Sequence, residues 1–170
     1  MNLSYKEMLA ADFADDSKVW VYQVSRLLTM SEALEVEDML KTFTDKWKSH
    51  GDKIKAESHL FFGQFIVLIA DESQAHVGGC STDSSTRFIR TIEEQFKVEC
   101  FNRHSLAFVI KSKVETVPMQ QLDYALQNGF INGDTLYFNN LVRTKKELEE
   151  NWIISVDKSW LASKLPVTTK

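Results

Sequence analysis

Residues 64–70 read Gln64-Phe65-Ile66-Val67-Leu68-Ile69-Ala70. A strand with one wet face alternates apolar and polar side chains. An unbroken apolar run of this length has no wet face, so it predicts a central strand buried on both sides. Gly63 marks a break or bulge before it, and residues 55–62 supply a neighbouring strand. Upstream, VWVYQV at 19–24 is rich in β-branched and aromatic residues and predicts the first strand. A helix lies between. Thr29 and Glu32 have capping-box spacing. Val36, Leu40, Phe43 and Trp47 then recur on one helical face, and Gly51 offers a stop. Downstream, a loop over 71–81 ends in Gly78-Gly79-Cys80-Ser81. A second helix is expected to start at Thr82 or Asp83, with Ser85, Phe88, Ile89, Ile92 and Phe96 on its apolar face. A fourth strand is expected from Val98, running on or turning at Asn102-Arg103 before residues 106–111.

That order is β-α-β-β-α-β, the split β-α-β of a ferredoxin-like α+β sheet. The tail predicts a short helix near Pro118 over Leu122, Ala125 and Leu126, closed by Gly129. A strand at 136–138 follows. A last helix, capped by Thr144 and Glu147, buries Leu148 and Trp152. No repeat or linker interrupts the chain. The reading is one domain over 1–170, with a ferredoxin-like core at 1–111 and an α/β extension at 112–170 packed on it.

The 170 residues are 44% hydrophobic and 26% charged, with 6 Gly and 2 Pro, enough for one well-filled core and too ordered in composition for a disordered chain. Net charge is −4, with 20 Lys+Arg against 24 Asp+Glu. A protein that neutralises many phosphates carries a basic excess, so nucleic acid is not an expected partner. The cluster of Lys41, Lys46, Lys48, Lys53 and Lys55 reads as a solvated helix face and turn. No run reaches the ~18 apolar residues of a membrane span, and the acidic N-terminus has no signal-peptide core. With two cysteines, Cys80 and Cys100, this favours free thiols in a cytoplasmic protein.

The most informative polar segment is GGCSTDSS at 78–85. Two glycines let backbone approach a ligand, and a helix start presents free N–H groups to an anion such as phosphate, sulfate or carboxylate. The plain alternative is that Thr82 or Asp83 caps a helix, and Asp83 would oppose an anion. Cys80, near a helix start, is a candidate nucleophile or redox thiol, with His50 or His76 as base. Its plain alternative is a small buried side chain in a turn. His76-x3-Cys80 and Cys100-x3-His104 pair possible metal ligands, but two glycines break the first pair's alignment, so no metal is expected. No cofactor is expected either. The G-x-x-x-x-G-K-[ST] phosphate loop is absent, as is G-x-G-x-x-G, which argues against an ATPase. Phe62-Gly63-Gln64-Phe65-Ile66 only echoes the RNA-recognition signature.

Two further turns mix aromatic and polar side chains: Trp47-Lys48-Ser49-His50-Gly51 and Phe138-Asn139-Asn140-Leu141. Structural roles compete there too, because Asn pairs make turn hydrogen bonds and a His in a last helical turn complements the dipole. Ser159-Trp160 reads as a helix start with an anchoring Trp. Trp20, Tyr22 or Trp160 on an open face would serve a protein partner.

Taken together, VWVYQVSR (19–26), WKSHG (47–51), IVLIADES (66–73), GGCSTDSSTRFI (78–89), FNNLVRTKKELEENW (138–152) and SW (159–160) resemble one family. It comprises short uncharacterised bacterial proteins labelled "ABC transporter ATPase". The resemblance spans nearly the whole chain. The family turn is Ser-Gly-Cys-Ser-Ile-Asp-like; Gly79, Cys80, Ser81 and Asp83 match it, while Gly78 and Thr82 depart. His50-Gly51 and residues 138–142 also match. The family's Ser-Trp is usually followed by His, and this chain has Leu161. The resemblance implies no substrate.

The functional expectation is a cytoplasmic module that binds a small anionic ligand or a protein. Its pocket would be lined by Gly79, Cys80, Ser81, Thr82, Asp83, His50, Asn139, Asn140 and Trp160. The alternative is an enzyme using Cys80 with His50.

Overall fold

The computed structural model describes residues 1–49, 51–72 and 79–166, the side chains of Cys80 and Ser81 excepted. The first elements are β1 (Lys18–Gln23), α1 (Met30–Lys46), a small hairpin of β2 (Lys48–Ser49) and β3 (Asp52–Lys53), β4 (Lys55–Phe61), β5 (Phe65–Asp71) and α2 (Gly79–Phe96). All of β5 is buried, as its apolar run predicts, and it is the middle strand of the order β1-β5-β4. Both pairings are antiparallel, with Val67 opposite Val21 on one side and His59 on the other. So β1 and β4, linked through α1, run in the same direction with β5 between them. That much is a split β-α-β.

The fourth strand departs from the ferredoxin-like order. β6 (Ser105–Ile110) pairs with β7 (Lys113–Pro118) and β8 (Leu136–Phe138), and β8 pairs with β9 (Ile153–Ser155). The resulting sheet has the order β7-β6-β8-β9. The cause is local. Lys111 (φ 49°) and Ser112 (φ 60°) both take the left-handed conformation, making a two-residue hairpin that folds β7 back on β6. Residues 98–104 form no strand.

The outer edge of β1, where a ferredoxin-like sheet has its fourth strand, is met by other backbone. Val19 donates to the Arg143 carbonyl (2.8 Å), Lys145 donates to the Ser17 carbonyl (2.9 Å), and Lys18 bridges Thr144. At the far end, Ser25 donates to the Glu99 carbonyl (2.8 Å). An open strand edge is thereby closed.

The chain divides into two compact units. The larger holds Ser4–Asn102 and Val142–Glu149; the smaller holds Met1–Leu3, Arg103–Leu141 and the residues from Glu150 on. The division therefore falls at 102/103 instead of the expected 111/112, because β6 belongs to the second sheet. In the larger unit, α1 and α2 cover one sheet face through Val36, Leu40, Ile89 and Ile92 against Ile66 and Leu68. The other face meets the N-terminal residues. The Tyr5 ring stands edge-on to Phe61 (5.7 Å), and its hydroxyl donates to the Leu148 carbonyl (2.7 Å) of α4 (Lys145–Asn151). The smaller unit packs α3 (Leu122–Gln127) on its sheet around Phe108, Ile131 and Tyr137. Leu161, where the resembled family usually has His, is fully buried in this core.

One glycine acts differently from expectation, and one makes the expected break. α1 stops at Lys46 with Trp47 already extended, and Gly51 (φ 95°) turns the β2–β3 hairpin instead. Gly63 (φ 63°) shares the β4–β5 turn with Phe62 (φ 56°), closed by the Gln64 amide on the Phe61 carbonyl (3.1 Å). No helix among the described residues is long and apolar enough to cross a membrane.

Candidate functional site

The apolar stripe of α1 ends in Trp47, which is buried at the junction of both helices with the sheet. Its ring meets Trp20 edge-on (5.7 Å) and lies 5.1 Å from Phe43. Phe43 stacks almost parallel on Phe88 of α2, at 4.3 Å and 7°. A buried indole needs an acceptor, and the Trp47 Nε1–H donates to Ser84 Oγ (3.1 Å). This bond ties the end of α1 to the GGCSTDSS segment, so two of the three turns singled out in the sequence adjoin.

A groove of about 590 Å³ opens beside this bond. Asp38, Met39, Thr42, Phe43, Lys46 and Trp47 of the α1 side, Lys48 of β2, and Ser84 and Phe88 of α2 line it. Most of the lining is apolar. Asp38, Thr42, Lys46 and Lys48 are exposed at its rim, and Met39, Phe43 and Phe88 are half-buried. Its size and its few polar groups suit a small organic ligand.

α2 begins at Gly79, three residues ahead of the expected Thr82. The backbone of Cys80 and Ser81 therefore lies in the first helical turn and not in a preceding loop. Ser85 is buried and its hydroxyl donates to the Thr82 carbonyl (2.8 Å), while Asp83 is exposed. His50, His76 and Gly78 lie outside the described residues, so the Cys80–His50 pairing has no geometry here.

Asn139, Asn140 and Trp160 belong to the smaller unit. Asn139 Nδ2 donates to the Asn151 carbonyl (3.2 Å), and Asn140 Oδ1 accepts from Trp152 Nε1 (3.0 Å). Trp160 is 42% exposed, with its Nε1 on the Tyr137 hydroxyl (3.2 Å). These groups fasten the end of β8 and the C-terminal 3-10 helix (Trp160–Lys164), whose Leu161 amide is capped by Ser159 Oγ (3.1 Å). Trp20 and Tyr22 are half-buried against the core rather than on an open face.

Cys100 is buried in the larger unit's core, where burial, then the nearby Glu93 carboxylate, pushes its thiol up to about 12. A neutral buried thiol is a poor nucleophile and a poor metal ligand. Among the described residues no group of three His, Cys, Asp or Glu side chains is arranged to hold a metal ion.

Sequence reasoning missed Asp38, Met39 and Thr42 as lining residues. Nothing in a helical stripe says which of its flanks stays uncovered. It also missed the polar row of β4. Lys55 pairs with Asp71 (3.2 Å) and Asp12 (3.1 Å), Glu57 accepts the Ala10 amide (3.2 Å), and His59 Nε2 lies 3.4 Å from Glu57. Positions 55, 57 and 59 share a sheet face, so alternation was the available signal. Their partners mark them as fasteners of the N-terminal residues.

No protein-family model, no curated protein and no solved structure matches the chain.

Proposed function

We propose that this protein is a binding module whose site is the groove between the C-terminal half of α1 and the first half of α2. The observation that carries the reading is the pair of half-buried rings, Phe43 and Phe88, left partly open beside the buried Trp47 and its bond to Ser84. Burying such a surface under a ligand is favourable at about 25 cal/mol per Å². ATP hydrolysis is not part of this reading, since the sequence lacks the phosphate-loop motif. The exposed Thr42 on the groove wall gives a direct test. Thr42→Trp fills the groove from the solvent side without entering the core. Two-ring aromatic fragments should shift the Trp47 indole N–H resonance in the parent protein and not in the variant, with melting unchanged. Binding that survives Thr42→Trp would move the site elsewhere.

A second reading is an enzyme that uses Cys80 as nucleophile or redox thiol. It is supported by Cys80 backbone in the first turn of an 18-residue helix, where a thiolate is stabilised. Cys100 is buried, so alkylation by iodoacetamide near neutral pH reports Cys80 alone. Rapid alkylation at pH 7 is expected on this reading. A rate that rises only above about pH 8.5 removes it.

A further inference from the structure

The groove has a polarity along its length that narrows the ligand class. Asp38 and Lys46 both lie on its rim and are eight residues apart on α1. At 1.5 Å per residue that separates them by about 12 Å. Lys48, just past the helix end, joins Lys46 at the same end. One end of the groove is therefore cationic and the other carries the Asp38 carboxylate, in a chain whose net charge is −4. Between them lie Met39, Phe43, Trp47 and Phe88.

Resting on the binding reading above, we propose that the ligand is a flat aromatic acid. Its ring lies against the edges of the stacked Phe43–Phe88 pair, and its carboxylate points to Lys46 and Lys48. Three features argue for this class. Edge-to-face contact with the stacked Phe43–Phe88 pair favours a planar ring over a branched chain. Two ammonium groups at one end favour an anion there and give it one orientation. Asp38 repels an acid bound in the reverse direction, which is specificity by exclusion. Met39 is an unbranched, adaptable side chain that can follow the ring edge.

The test titrates 2-naphthoic acid and its neutral counterpart 2-naphthalenemethanol against the full chain, reading the Trp47 indole N–H by two-dimensional NMR. The acid is expected to bind about fivefold to tenfold more tightly than the alcohol, a preference of rim charges in water. Lys46→Gln with Lys48→Gln should abolish that preference and leave the alcohol's affinity within about twofold. Lys41→Gln with Lys113→Gln, which changes net charge equally at exposed sites outside the groove, should leave the preference intact. Raising salt from 0.05 to 0.5 M in the parent protein should shrink the preference by screening; this arm stands even if the double variant misfolds. Equal binding of acid and alcohol, with Trp47 still shifting, overturns the acid assignment and leaves the groove as a site. Failure of both compounds to shift Trp47 overturns the assignment and the binding reading together. Tighter binding of 2-naphthylmethylamine than of the acid also overturns the assignment.

Discussion

Glu32 accepts three hydrogen bonds with one carboxylate. It accepts the Thr29 amide (2.8 Å) in the capping box, while Thr29 Oγ1 accepts the Glu32 amide (3.3 Å). It also accepts both terminal nitrogens of Arg26, each at 2.8 Å. The Arg26 guanidinium, then the Thr29 backbone, holds its carboxyl down to about 2 against an ordinary 4.5. Arg26 in turn donates to the Phe96 carbonyl (2.9 Å), so the cluster links the start of α1 to the end of α2. A depressed carboxyl stabilises the fold above its unfolded value. That contribution falls away as pH drops from about 4.5 towards 2. A carbon-detected titration should give Glu32 a midpoint near 2, and Arg26→Gln should return it towards 4.5. A midpoint of 4 or above in the parent protein would mean the bidentate pair does not persist in solution.

At the scale of elements, hydropathy patterning carried most of the correct reading and punctuation carried the errors. The apolar run of β5 and the stripe of α1 were legible because burial leaves few alternatives for such sequences. The Thr29–Glu32 box was legible because its spacing is rigid. The Thr144 box was legible only in part: Thr144 Oγ1 accepts the Glu147 amide (3.2 Å), but the Glu147 carboxylate takes the Arg143 amide (2.7 Å) instead of its own cap's. At the missed β6–β7 turn, ordinary residues do what glycine usually does. Phe62, Lys97, Lys111 and Ser112 all have positive φ. Lys97 follows the end of α2, and Lys111-Ser112 turns β6 into β7, so neither leaves a Gly or Asn-Gly signal. The groove was half legible. Trp47 and the 78–85 segment drew attention as turns, but the sequence cannot say that Trp47 Nε1 meets Ser84. Strain at the β6–β7 turn makes a prediction. Left-handed backbone costs a non-glycine residue about 1 kcal/mol. Lys111→Asn with Ser112→Gly should therefore stabilise the protein by roughly 1–2 kcal/mol in urea unfolding. A loss of stability would show that these side chains hold the turn through contacts that outweigh the strain.

At the scale of the whole molecule, chain order and spatial order part company. The sequence reads as a core followed by an appendage, because composition and periodicity are local properties. Yet Val142–Glu149 completes the unit formed by Ser4–Asn102, after the intervening Arg103–Leu141 has been laid down elsewhere. The physical need is an edge and a face. β1 has an open edge that Arg143 and Lys145 satisfy, and Tyr5, packed on Phe61 of the sheet face, donates its hydroxyl to the Leu148 carbonyl. Such needs are invisible until strand order is known. The stability of the N-terminal residues should then depend on a side chain more than a hundred positions away. Leu148 is fully buried, so Leu148→Ala removes packing worth about 2–5 kcal/mol. Hydrogen exchange should show the Val19 amide, held by Arg143, losing protection along with the Lys145 amide held by Ser17. If Val19 keeps its protection while the melting temperature falls, Leu148 does not help hold residues 142–149 against the edge of β1.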